Sequence, residues 1–305
     1  LSTWRNMGAA LAGMAINVLG PMIVFVDNKI SADRMFMTAC IFGVLAIACY
    51  IGCYNLSTER IAVPVKEVEK GAFLRSVKSL LTNKPFLWVL AASLLAMTNQ
   101  FIVQAVNTYL FKDYFANAGA LSIIGLVQTL SMFLVVPFVK PLVAKFGKKE
   151  ISVVGMTIAS IIYIAMFLLK FTTTTPFIVL AALGYMAMCL YNIVTWAFIT
   201  DVIDYHEYLT SMREDATVYS IISMSRKVGQ AVAGGIGGVA IAAVGYDATV
   251  GTQSQDVLDG IYMLGTLVPG IFYAIIAVVL FIYPLSKQKT IQLGKDLAAR
   301  RNANQ

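Results

Sequence analysis

Eight stretches of this chain run for about 20 residues with hardly a charge among them, the length at which an apolar helix crosses the hydrocarbon core of a bilayer. They fall roughly at 7–26, 35–54, 86–111, 120–139, 151–169, 177–200, 217–244 and 261–283. None alternates apolar and polar residues with the period of two that a barrel strand shows. The expectation is an all-α integral membrane protein with eight transmembrane helices. Composition agrees: 59% of the 305 residues are hydrophobic and only 13% are charged, against about 25% charged in soluble domains. Disorder, a collagenous repeat and a disulfide scaffold are excluded on the same ground. The four cysteines, Cys40, Cys49, Cys53 and Cys189, all lie in apolar runs and read as small buried hydrophobes. The chain opens at Leu1 and enters an apolar run almost at once, which reads as a cut inside a longer protein.

The formal charge of +7 would suggest nucleic acid in a soluble protein, but here it follows the positive-inside rule, and no nucleic-acid partner is expected. With Leu1 placed in the cytoplasm, seventeen Lys and Arg fall in cytoplasmic segments and four, Lys29, Arg34, Lys112 and Lys170, in outer loops. That asymmetry puts both termini in the cytoplasm of a multi-pass protein of the cell's inner (plasma) membrane. The spans divide the chain into two helices over 1–54, a polar middle loop over 55–85, six helices on short loops over 86–285, and a cytoplasmic tail over 286–305. Within the middle loop Phe73, Leu74, Val77, Leu80 and Leu81 recur at helical spacing beside Lys70, Arg75, Lys78 and Lys84, the pattern of a surface helix on an anionic leaflet.

Polar side chains at membrane depth are costly and mark function. Gln100, Gln104 and Asn107 lie at i, i+4 and i+7 on one face of the third span. Amides donate and accept at once, which suits a ligand dense in hydroxyls; the plainer alternative is glue between helices. Asn192, Thr195 and Trp196 share a face of the sixth span, where Trp196 can stack on the apolar side of a sugar ring or simply pack. The seventh span holds Arg226 and Lys227, about 100° apart on a helix, so that one can snorkel while the other faces the bundle. A carboxylate or a substrate oxygen beside such a cation would keep it charged. The pair Gly234 and Gly238 reads as a close helix contact. Between these spans come Asp201, Asp204, His206 and Glu207, then Arg213, Glu214 and Asp215. Acids near a helix C-terminus oppose its dipole, and Arg213 is the nearest cationic partner. His206 is the only histidine, so no multi-histidine metal site is possible and no metal ligands are assigned.

These residues resemble a known family. Asp201, Asp204-Tyr205, Glu207, Arg213, Asp215, Tyr219-Ser220 and Lys227-x-Gly229 are similar to the tenth-to-eleventh-helix segment of the glycoside–pentoside–hexuronide:cation symporters of the major facilitator superfamily. Leu81-Thr-Asn-Lys-Pro-Phe86, Val143-Ala-Lys-Phe-Gly-Lys-Lys149 and, more weakly, Leu1-Ser-Thr-Trp-Arg5 support the match. The resemblance covers the whole chain as helices 5–12 of a 12-helix fold, and implies that the missing first four helices are its partner. It implies that Arg5 and Lys227 belong to a sugar site and its coupling to a cation, and that Ser223 and Asn192, with Trp196 one turn on, face the sugar. It further implies that Asp201, Asp204, Arg213 and Asp215 form a cytoplasmic charge network that holds an outward-open state. The cation ligands of that family lie in its first four helices, so no cofactor is expected here beyond a coupling Na+ or H+. The function expected is secondary active symport of a sugar or glycoside by alternating access. A passive facilitator is the alternative, and a membrane-embedded enzyme is disfavoured by the lack of G-x-S-x-G, H-E-x-x-H or paired carboxylates at depth. An ATP-driven pump would need a phosphate-binding G-x-x-x-x-G-K-[ST] loop, which the sequence lacks.

Overall fold

A computed structural model describes residues 2–26, 29–57, 78–211 and 215–303. Helices occupy every apolar stretch: α1 (Ser2–Val24), α2 (Ala32–Leu56), α3 (Lys84–Tyr109), α4 (Ala120–Phe146), α5 (Lys148–Leu169), α6 (Thr174–Thr210), α7 (Asp215–Ala243) and α8 (Gln255–Ile282). A ninth, α9 (Lys287–Ala303), forms where a plain tail was expected. The only extended pairing among the described residues is the two-residue hairpin of β1 (Phe25–Val26) and β2 (Lys29–Ile30) between α1 and α2. Among the described residues six helices are long and apolar enough to cross a membrane: α2, α3 with the π turn that continues it, α4, α5, α6 and α8. Eight such spans were expected, and two of the expected eight fall short by this measure. The apolar part of α1 covers only Leu11–Val24, and α7 is interrupted by Arg226, Lys227 and three serines. The middle-loop helix expected over 70–84 lies largely outside the described residues, which retain only its last turn before Asn83.

The chain's punctuation has local causes. Asn83 caps α3, its Oδ1 accepting from the Phe86 amide at 3.1 Å, with Pro85 in the first turn, where a missing N–H costs nothing. α4 and α5 are joined by Gly147 alone, at φ +107°, a backbone conformation open to glycine and strained for any side chain. α6 closes on Ser211 in the left-handed region, its amide donating to the Glu207 carbonyl at 2.8 Å. At 37 residues α6 is about 55 Å long, well beyond the roughly 30 Å of a hydrocarbon core. Its last turns, carrying the acids, therefore stand clear of the apolar layer.

Helices α3 to α8 pack as a bundle, with α5 against both α6 and α8, α3 against α7 and α8, and α4 against α6, while α1 lies along α4. Small residues set the closest approaches. Gly155 faces the Ala187 carbonyl, Gly270 faces Ile164, and Gly229 and Gly237 bring α7 onto Leu94 and Ala105 of α3. Among the described residues nothing stands within 4 Å of where a side chain would begin at Gly234 or Gly238, so the contact expected of them is not seen there. Two apolar cores result. One gathers Leu80, Phe86, Met156, Phe198, Ile222 and Tyr283; the other gathers Val106, Phe111, Met166, Phe177, Ile261 and Tyr262. Outside them, α2 buries only Thr38 and presents Phe36, Ile41, Val44, Ile47 and Ile51 outward. For that reason Cys40, Cys49 and Cys53 are exposed on its surface rather than buried, and only Cys189 is the buried thiol expected.

Candidate functional site

Polarity inside the bundle concentrates on one stripe of α3. Gln100, Gln104 and Asn107 line a cavity of about 450 Å³, with Gln128 and Thr129 of α4 and the rings of Tyr163, Tyr185 and Tyr273 around it. Gly13, Ile16 and Pro21 of α1 close one side. The opposite face of α3, with Ile102 and Val106, is buried in apolar contact, which orients the amides toward the opening. A chamber with amide and phenol groups on several walls can hold a polyhydroxylated ligand through many donor–acceptor pairs at once. Gln128 and Thr129 of α4 were missed in the sequence, although they interrupt an apolar run and could have been found by that signal. The tyrosines carry no such signal, since tyrosine is common throughout these spans.

The α6 stripe continues from that cavity toward the Lys148 end. Met188 lines the cavity, and its thioether accepts from the Tyr273 hydroxyl at 3.5 Å and from Asn192 Nδ2 at 3.9 Å. Asn192 thus sits one turn beyond the cavity wall, and Trp196 one turn further. Thr195, on the same face, is buried and bonds the Tyr191 carbonyl of its own helix. Trp196 stacks on Tyr219 of α7 with ring centroids 5.9 Å apart, and the Arg226 guanidinium lies over the Trp196 ring at 5.4 Å. Of the two adjacent cations it is Arg226 that turns toward the bundle. Lys227 is exposed and donates to Gln230 at 3.2 Å, and Ser223 is exposed on the same side of α7. The structure therefore brings Gln100, Gln104 and Asn107 together, sets Asn192 at their edge, and holds Trp196 apart with Arg226, which sequence reasoning had left outside the site. Arg5 lies within α1, but its side chain is outside the described residues.

Charges gather at the two ends of the bundle. At one end Lys148 pairs with the buried Asp201 at 2.6 Å and Lys149 donates to the Tyr283 carbonyl at 2.6 Å. There too Lys287 reaches the Ala144 carbonyl at 2.6 Å, and Arg300 of α9 bonds the Tyr208 carbonyl at 2.9 Å while covering its ring. Arg213, expected to pair with the acids, lies outside the described residues. The ammonium that meets Asp201 comes instead from across the Gly147 turn. Asp204 is half-buried on α6, and Asp215 opens α7, where a carboxylate suits the helix dipole. At the other end α3 passes into a π turn, Leu110–Tyr114. There Tyr246 donates to Asp113 at 3.1 Å and accepts from Lys112 at 3.3 Å. Asp259, hydrogen-bonded to Lys170 at 2.9 Å, holds that ammonium's pKa above its ordinary value.

A family described as MFS/sugar transport protein matches residues 1–287. The chain is 29% identical to an uncharacterized symporter, YjmB, of Bacillus subtilis, over 97% of this chain and 64% of that protein. It is 25% identical to a glucuronide carrier protein homolog of Escherichia coli, over 100% of this chain and 66% of the relative. It is also 25% identical to an isoprimeverose transporter of Lactiplantibacillus pentosus, over 94% of this chain and 60% of the relative. The chain thus spans somewhat under two thirds of the length of these relatives, all of which bear the names of transporters.

Proposed function

Because the chain belongs to the MFS/sugar transport protein family, we propose that it works in secondary active transport, as part of a symporter that moves a sugar or glycoside with Na+ or H+. The observation that carries this reading is the cavity itself. Amides of Gln100, Gln104 and Asn107 and three tyrosines converge on about 450 Å³ between two apolar cores. In a bilayer so many polar groups on one void call for a polar occupant. The share of the wall supplied by α1 supports the division into helices over 1–54 and a six-helix bundle over 86–285, with substrate held between the two groups. Transporters with binding sites between such repeats work by rocking one group against the other. On this reading Arg5, Asn192, Trp196, Ser223 and Lys227 extend the sugar path. Asp201, Asp204, Arg213 and Asp215, with Lys148 now among them, bias the conformational equilibrium, and the Lys148 end faces the cytoplasm of an inner-membrane protein.

The test is uptake of labelled glycosides by cells producing the full-length protein. Accumulation above equilibrium that collapses with a proton ionophore means H+ coupling, and collapse with a sodium ionophore means Na+ coupling. Uptake that stops at equilibrium under both conditions makes the protein a passive facilitator.

A further inference from the structure

The back wall of the cavity comes from helices that otherwise stand behind it. α5 packs against α6 and α8, and α8 also against α3, yet α5 lends the cavity Tyr163 alone and α8 lends it Tyr273 alone. A side chain from that second row reaches the cavity only where its neighbours leave a gap, and two glycines leave one. On α6, the point where a Gly184 side chain would begin lies 2.8 Å from Tyr163 Cε2 and 3.1 Å from its Cδ2. On α8, the same point at Gly270 lies 2.8 Å from Ile164 Cγ1 and 3.2 Å from the Ile164 amide nitrogen. Carbon atoms in ordinary contact stand about 3.5–4.0 Å apart, so neither position has room for a methyl group. The Ser160 hydroxyl also donates to the Gly270 carbonyl at 2.8 Å. The turn from Ser160 to Ile164 is thus pressed onto α8, while the edge of the Tyr163 ring passes over the backbone of α6.

Beyond this slot the ring meets Tyr273, three residues on from Gly270 and on the same face of α8. The two rings are T-shaped with centroids 5.4 Å apart, and the Tyr273 hydroxyl is engaged by the Met188 thioether at 3.5 Å. Tyr163 is 5% exposed and is held by α6 on one side and Tyr273 on another. Close-packed surroundings absorb a displaced ring poorly, so the open volume it borders is the cavity itself. A ring fixed in this way limits how deep an occupant can sit opposite the amides of α3. In a close-fitting pocket a single methylene is worth about 10–200-fold in discrimination. We propose that Tyr163, admitted through the slot between Gly184 and Gly270, is a specificity-determining residue whose ring stops the cavity at its back and selects substrates by size. This rests on the sugar-transport reading and names a selector within it.

The experiment measures competition among β-linked nitrophenyl glycosides of rising size, xyloside, glucoside and cellobioside, for binding to membranes containing the full-length protein. Tyr163→Leu, which removes the ring, should raise the affinity of at least one larger member over the next smaller by about fivefold or more. Gly184→Ala, which drives the ring toward the cavity, should shift the same ratio the other way. Tyr163→Phe, which keeps the ring, should leave that ratio within about twofold of its original value. A role in packing alone would lower stability in these variants without opposed shifts in the ratio. Where Gly184→Ala fails to accumulate in the membrane, adding Tyr163→Leu should recover it, because the smaller side chain leaves room for the new methyl group; no recovery overturns the slot. A ratio that Tyr163→Leu leaves unchanged, or one that Tyr163→Leu and Gly184→Ala shift in the same direction, overturns the selector while sugar transport stands. No binding of any member by the unaltered protein removes the sugar reading, and the selector with it.

Discussion

Asn and Gln at membrane depth are the residues on which the site was legible in advance. An amide in an apolar run stands out, and the spacing of Gln100, Gln104 and Asn107 fixes their common face without any knowledge of neighbours. Adjacent cations are another matter. Which of Arg226 and Lys227 turns inward depends on Trp196 arriving from a different helix, and nothing local to 226–227 encodes that. The same limit explains Asp201, whose partner Lys148 is 53 positions away. Two outcomes follow at this scale. Gln104→Ala should weaken binding of the best nitrophenyl glycoside about three- to tenfold, the worth of one or two net hydrogen bonds, as read by competition binding. Asp201→Asn should lower stability in detergent by roughly 1–3 kcal/mol, since it leaves a partly buried ammonium facing a neutral amide. Adding Lys148→Met should restore part of the loss, which a thermal melt of both variants would register.

The apolar runs located the helices but not their ends, which are set by local signals that apolar length does not weigh: the Asn83 cap with Pro85, and the Gly147 turn. Helix contacts were not legible either. Four glycines within five residues of α7 suggested a close approach at Gly234 and Gly238, yet contact falls on Gly229 and Gly237, two turns apart and in phase with the buried Val218, Ile222, Ala233 and Ile241. Phase with a buried stripe, rather than glycine density, selects the interface. The two classes of glycine should therefore respond oppositely to a single methyl group. At Gly155 a Cβ would stand 2.5 Å from the Ala187 carbonyl oxygen and 3.1 Å from Leu190. Gly155→Ala should thus separate α5 from α6 and lower the melting temperature by several degrees. Gly234→Ala, with nothing within 4 Å, should leave it unchanged or raise it slightly, because alanine favours a helix by about 1 kcal/mol over glycine. A larger drop for Gly234→Ala than for Gly155→Ala would show that α7 makes contacts this packing lacks.

For the molecule as a whole, the apolar runs and the basic asymmetry describe a protein with two dissimilar ends, and the structure groups Lys148, Lys149, Lys287 and Arg300 at one of them. The cavity between two apolar cores could not be foreseen, because it arises from three tyrosines on three different helices meeting the α3 stripe. Thiol chemistry can check which end faces the cytoplasm. In intact cells, Thr252→Cys on the loop after α7 should react with an impermeant maleimide, whereas Gln288→Cys on α9 should react only after permeabilisation. The native Cys40, Cys49, Cys53 and Cys189 are replaced by alanine first, so that only the introduced thiol reports. The reverse pattern would invert the molecule in the membrane.

The π turn at Leu110–Tyr114 carries an implication for how this chain tolerates change. Such a turn holds one residue more than the α-helical turn it replaces, so in the history of a gene it behaves as an insertion of one codon. Here Phe115 donates to the Leu110 carbonyl at 3.0 Å and Asn117 to the Phe111 carbonyl at 2.8 Å, a widened ladder that rotates everything after it relative to Gln104 and Asn107. Loss of one residue between 110 and 114 would return α3 to ordinary phase and swing Asp113 about 100° away from Tyr246. The cavity stripe would be untouched, and only the far-end polar cluster would be unmade. Homologues that differ by one residue at this point should therefore keep their amides while lacking a counterpart of Tyr246, a covariation that length and composition alone would never reveal.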